Sequence, residues 1–321
     1  MKNILKSSKS KILLLIALCI ITALIFLLIG ITSKNIGFFI PKRIEKIIAF
    51  LLVSYAIAYS SIAFQTITNN HLLTPSVMGL DSLYLFIQTV IVFFLGSKSI
   101  QMLSGLTNYF ISIGIMIIAS LILFGLLFRK EGKSIYFLLL TGLVFGTFFG
   151  GLSSFMQVLL DPNEFLLIQG KMFASFSKIN SSLLLISVVI TTLVFLSTLL
   201  DFNKLDGLSL GKDQAISLGI DYKKTVLKTL IAISVLTSVA TALVGPVTFL
   251  GIIITSLVRQ IFVTYKHKTR VFGGVLVSFV LLVGGMILVE RVFNFDTTVS
   301  VIINLVGGIY FIFLILREAK R

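Results

Sequence analysis

Side chains able to do chemistry are sparse in this 321-residue chain. The two histidines, His71 and His267, have no partners at metal-ligand spacing, whereas a metal centre needs three or four convergent ligands. The one cysteine, Cys19, can form no internal disulfide. No glycine-rich phosphate loop with its lysine occurs, so the chain itself is not expected to hydrolyse ATP. No nucleophile with an adjacent base supports a membrane-embedded enzyme. The expectation is a non-enzyme with no metal and no cofactor of its own. A half-polar strip stands out between apolar segments at residues 205–221, LDGLSLGKDQAISLGID, which is too charged and glycine-rich to cross a bilayer and too regularly apolar to be a slack linker.

The elements around that stretch follow from composition. Hydrophobic residues make up 57% of the chain and charged ones 12%, with a mean hydropathy of +1.10; soluble domains carry roughly 25% charge. This predicts an all-α membrane protein, because a spanning helix needs roughly 20 apolar residues. Apolar blocks fall near 12–31, 47–67, 76–95, 106–128, 134–156, 181–200, 226–245, 247–263, 272–290 and 298–316. That predicts about ten transmembrane helices in one transmembrane domain, 1–321, the eighth being too short to cross at full length. Pro41, Pro75, Pro162 and Pro246 all fall at block edges, where proline does not break a helix. The first block is longer than a signal-peptide core and is read as a retained span.

The net charge of +15 would point to nucleic acid in a soluble protein, but here the basic residues lie between apolar blocks. Topology explains them and nucleic-acid binding is not expected. With an even number of spans, nineteen of the 27 Lys and Arg residues fall on the side of the termini. The positive-inside rule then puts both termini in the cytoplasm of a multi-pass plasma-membrane protein. Ionisable residues within the blocks are read as almost absent, which disfavours an ion-coupled secondary transporter, the alternative from a different class.

The 205–221 stretch thus lies on the cytoplasmic side between the sixth and seventh blocks. Its apolar residues, broken by Gly207, Gly211 and Gly219, suit two short helices joined by tight turns. Pattern alone leaves two readings open, a docking element and an amphipathic helix lying on lipid.

Three stretches resemble the FecCD family of permeases from bacterial ABC importers. LSLGKDQAISLGID is similar to the family's cytoplasmic coupling segment, with Leu210, Gly211, Ala215, Leu218 and Gly219 carrying the match. QTITNNHLLTPSVMG at 65–79 resembles Q-x-x-x-x-N-P-L-A-x-P-x-x-x-G, and GPVTFLGIIITSLVR at 245–259 resembles G-P-I-x-F-x-G-L-x-x-P-H-x-x-R. The departures are His71 for a proline, Thr255 and Ser256 for Pro-His, and Ile309 after Gly307 and Gly308 where a proline is frequent. They point to a subgroup, most like permeases for catechol-type siderophores such as petrobactin; haem or cobalamin permeases of the same family are the alternative.

The resemblance implies a BtuC-like type II importer fold of ten helices in a homodimer or paralogous heterodimer. It implies two ATPase subunits carrying ATP and Mg, an outside substrate-binding protein, and a substrate that carries iron(III). The coupling segment would span about 201–224, with Leu210, Gly211, Lys212, Asp213, Ala215, Leu218 and Gly219 meeting the ATPase. Gly142, Gly146, Gly150 and Ser154 recur every four residues on one helical face, suited to close backbone approach. With Gly307 and Gly308 they are candidates for the pathway or dimer face, ordinary packing being the simpler reading. Arg43, Lys46 and Arg291, at the outer ends of two spans, are candidates for docking the binding protein, against the simpler reading as lipid-headgroup anchors.

Overall fold

In a computed structural model, the chain is described over residues 8–30, 36–102, 105–128, 135–177 and 179–318. Of the basic residues that set the orientation, Lys2, Lys6, Lys34, Arg129, Lys130, Lys133, Lys178, Lys320 and Arg321 lie outside these ranges. The described residues form helices and turns with no strand. Six helices are long and apolar enough to cross a membrane. They are α1 (Ser8–Leu28), α2 (Ile36–Thr68), α4 (Gly105–Phe128), α7 (Ser181–Leu199), α10 (Tyr222–Val244) and α12 (His267–Arg291). Apolar α3 (Asp81–Met102), α5 (Ile135–Val158), α11 (Leu250–Ile261) and α13 (Val299–Glu318) join them. Three short helices lie between: α6 (Pro162–Lys171), α8 (Phe202–Leu208) and α9 (Lys212–Ser217).

Burial separates centre from rim. In α2, 78% of the most apolar window is buried, against 11% in α1 and 22% in α7. Helices α10 and α12 flank α2, and Gly274 of α12 closes on Ala58 of α2. Apolar residues on the rim, among them Leu143, Phe148 and Phe155 of α5 and Leu305, Ile309 and Ile312 of α13, are more than half exposed. For helices in lipid or against a second subunit that is the expected state, since hydrocarbon is as apolar as leucine.

The helices correct the sequence expectations in four places. Pro41 lies inside α2, not at a helix edge, because α2 starts at Ile36, well before the apolar block that marked it. At about 1.5 Å per residue, its 33 residues reach beyond the hydrocarbon thickness. The third block is broken: a π turn (Ser76–Leu80) precedes α3, with Gly79 at φ 87 and Gly96 at φ 71, left-handed conformations that glycine tolerates. Helix α6 was not foreseen; its mixed composition has no spanning signal, yet Pro162 at its first turn starts a helix. Last, the spans are not free of ionisable groups. Asp81 heads α3 fully inside the bundle, and Glu290 and Arg43 are buried where α12 meets α2. The eighth block is short as read: the 12 residues of α11 rise only about 18 Å.

Candidate functional site

Two stretches singled out by their residue patterns, 65–79 and 245–259, fold against each other in the middle of the bundle. The π turn ends the first and α11 the second. Gln65 Nε2 donates to Thr255 Oγ1 at 2.9 Å, and Thr248 Oγ1 donates to Asp81 Oδ2 at 2.7 Å. Gly251 packs against the Ser61 and Thr74 side chains, a contact that any Cβ would disrupt. The Asp81 carboxylate is thus held by a hydroxyl from the turn that leads into α11, as a buried polar group must be partnered. Sequence reading missed Asp81 because a single carboxylate in an apolar block looks like an interruption, and its partner lies 167 residues away.

This crossing bears on both candidate small-residue faces. Gly142 and Gly146 of α5 face the π turn: a Cβ on Gly142 would come within 2.6 Å of Met78 Sδ, and one on Gly79 within 2.8 Å of the Gly146 nitrogen. Gly150 has no heavy atom within 4 Å of a Cβ position, and Ser154 is exposed. The stripe therefore divides into a half that receives the π turn and a half open to whatever lies beside the chain. On α13, Gly307 is packed on Phe249 and Ile253 of the 245–259 stretch, while Gly308 is open. The two crossed segments thus each abut one of the two candidate helices.

Between α7 and α10, α8 and α9 are two short helices with Gly211 (φ 103) and Gly219 (φ 77) at their turns. Both glycines have conformations that a β-branched residue does not tolerate. Phe202, Leu205, Leu208 and Ala215 are buried and anchor the segment to the bundle, while Leu210 (59%), Ile216 and Leu218 (62%) face outward. Lys212 and Asp213 lie in the first turn of α9. Leu210, Leu218, Ile220 and Tyr265 are among the walls of an open groove of about 590 Å³.

Asp201, at the head of α8, pairs with Lys228 of α10 at 2.6 Å and Lys204 at 3.0 Å. Burial alone would raise its carboxyl, but the two ammonium groups hold it below the usual carboxylate range. His267, expected to lie free on a loop, is fully buried. Its Nδ1 is 2.6 Å from Asp206 Oδ1 and its Nε2 is 2.7 Å from Thr66 Oγ1.

At the other end of α12 the three basic candidates behave differently. Arg43 is 8% exposed and donates to the Leu27 and Ile29 carbonyls at 3.1 and 2.8 Å, closing the end of α1. It also pairs with Glu290 at 3.5 Å, as Lys46 does at 3.3 Å. Lys46 lies over the Phe295 ring as well. Arg291 donates to the Ile29 carbonyl at 2.8 Å and stays exposed. A second polar cluster lies deeper: Lys171 of α6 donates to Gln88, which donates to Ser112. Burial pulls the Lys171 ammonium down to about 8.

Comparison with known proteins agrees with this arrangement. Residues 12–317 match the FecCD transport family. The petrobactin import system permease protein YclO of Bacillus subtilis (strain 168) is 49% identical over 313 residues, covering 98% of this chain and 99% of that protein. The petrobactin import system permease protein FatC of Bacillus anthracis is 35% identical over 283 residues, covering 87% and 80%. A solved inward-facing structure of a metal-chelate type ABC transporter has the same fold, with a TM-score of 0.82 at 24% identity, covering 97% of this chain and 99% of that one. The chain belongs to the FecCD transport family, as a membrane-spanning permease.

Proposed function

We propose that this chain is the permease subunit through which an ATP-driven importer moves an iron(III)-siderophore complex, of the petrobactin type, across the plasma membrane. The observation that carries the substrate class is the 49% identity, over nearly the full length of both chains, to a petrobactin import permease. Supporting it, the cytoplasmic segment turns an apolar surface outward while its other face is anchored in the bundle. That is what a separate ATPase, holding ATP and Mg, would press on.

In this reading the chain crosses the membrane about ten times with both termini in the cytoplasm, α3, α5, α11 and α13 completing the six long helices. A paralogous permease is the proposed second subunit. Bacillus anthracis has two petrobactin import permeases, FatC and FatD, to which this chain is 35% and 25% identical. The open half of the α5 stripe, Gly150 and Ser154, and Gly308 on α13 would then face that subunit or the route between the two. Outside, a substrate-binding protein would deliver the chelate. Arg291 is the exposed contact for it, and Arg43 and Lys46 fix Glu290 beside that arginine.

The test is uptake of radiolabelled iron by cells carrying and lacking this gene. Iron presented as the petrobactin complex should fail to enter the deletion strain, while iron presented as a hydroxamate complex or as haem enters as before. Unimpaired entry of the petrobactin complex with loss of another chelate would replace the substrate; no loss of any would remove the reading.

A further inference from the structure

The ATPase-docking segment must be attached to the spans for its movement to do work, and one side chain makes an unusual share of that attachment. Asp206 lies in α8, in the middle of the segment. Its Oδ1 accepts two hydrogen bonds from His267, from the backbone N–H at 2.7 Å and from ring Nδ1 at 2.6 Å. The first of these belongs to the start of α12, whose own N-cap residue, Lys266, supplies no side-chain bond. The segment therefore caps a spanning helix from a distance, with a carboxylate at the positive end of the helix dipole. The same imidazole continues to Thr66, in the last turn of α2: with Nδ1–H given to the carboxylate, Nε2 accepts from Thr66 Oγ1 at 2.7 Å.

Carboxylate, imidazole and hydroxyl thus join α8, α12 and α2 in one line, with His267 fully buried. Helices α2 and α12 pack extensively on each other, and α12 also holds α11, the short helix at the bundle centre. Apolar contacts from Phe202, Leu205 and Leu208 keep α8 on the bundle but slide easily. A doubly hydrogen-bonded carboxylate is directional and resists sliding.

We propose that Asp206, His267 and Thr66 form the link that passes movement of the cytoplasmic segment to α2 and α12, with His267 as the positioning residue. The proposal rests on the reading of that segment as the ATPase-docking element. The link transmits and does not itself hold the ATPase, so breaking it separates hydrolysis from transport.

The experiment uses the complete importer in proteoliposomes and measures substrate moved per ATP hydrolysed, with co-purification of the ATPase recorded for each variant. His267→Ala should keep the ATPase bound and hydrolysing while the ratio falls roughly tenfold or more, the scale of losing a hydrogen bond to a charged group. His267→Asn, whose amide can still donate toward Asp206, should recover much of the ratio. Thr66→Val removes one hydroxyl and should lower the ratio less. An unchanged ratio in His267→Ala overturns the link. If that variant does not assemble, Thr66→Val decides, and an unchanged ratio there overturns it equally. Failure of the docking reading looks different: the ATPase stays bound when Gly211 and Gly219 are replaced.

Discussion

The two ends of the bundle use their polar and apolar residues in opposite ways. At the end that carries α8 and α9, charges and a histidine are turned inward to fix α8, while Leu210, Ile216 and Leu218 are left facing out. At the opposite end of α12, Arg43 and Lys46 close around Glu290, and Arg291 keeps an exposed guanidinium. A basic residue at a span's end is therefore not evidence of a docking surface until its own partners are known. The α8–α9 surface differs in carrying uncovered apolar area on a segment that is otherwise anchored.

The largest expected effect would come from the buried cluster. Glu290→Gln leaves two cations without their carboxylate, at side chains 9% and 15% exposed, and should cost about 3–5 kcal/mol of stability. Thermal unfolding of the purified permease checks it. A melting temperature within error of the parent would mean that the outer charges are not structural, and the contrast between the ends would fail.

Next comes the inner face. Gly211→Val places a β-branched residue at φ 103, a strain of about 1–3 kcal/mol, and should weaken ATPase association roughly tenfold or more while the protein still inserts. Co-purification of the ATPase from membranes measures this. Between the two ends, Gly142→Leu should obstruct transport with the ATPase still bound, because the new side chain meets Met78 of the π turn. Uptake and co-purification measured together separate it from a docking defect.

The smallest effect belongs to Arg291. As an exposed charge it is worth about 1 kcal/mol or less, so Arg291→Ala should lower binding-protein affinity by a few-fold and leave the melting temperature unchanged. Arg291→Glu should lower it further, and both effects should shrink at high salt. Affinity that ignores salt and charge reversal would leave Arg291 a lipid-headgroup anchor.

How much was legible in the sequence depended on whether the cause was local. Gly211 and Gly219 could be read because a tight turn's demand for positive φ is met by the residue itself. The broken third block was not, since Gly79 and Gly96 turn the chain only in combination with what packs on them, Gly146 in the first case. Helix α6 escaped because ten mixed residues carry no spanning signal and little period. Asp81 and His267 escaped for a third reason. The groups that make each one meaningful, Thr248 for the first and Asp206 with Thr66 for the second, are distant along the chain. Arg43 and Lys46 showed their charge in the sequence and hid their partner, Glu290, 244 residues on from Lys46.

The most direct test of the account is transport by purified components. The permease, its paralogous partner and the ATPase are placed in proteoliposomes, with loaded binding protein on the side opposite the ATPase. Iron(III)-petrobactin should accumulate only when ATP and Mg are supplied on the ATPase side, and Gly211→Val should lower that accumulation severalfold. Accumulation driven by a proton or sodium gradient without ATP, or untouched by Gly211→Val, would contradict it.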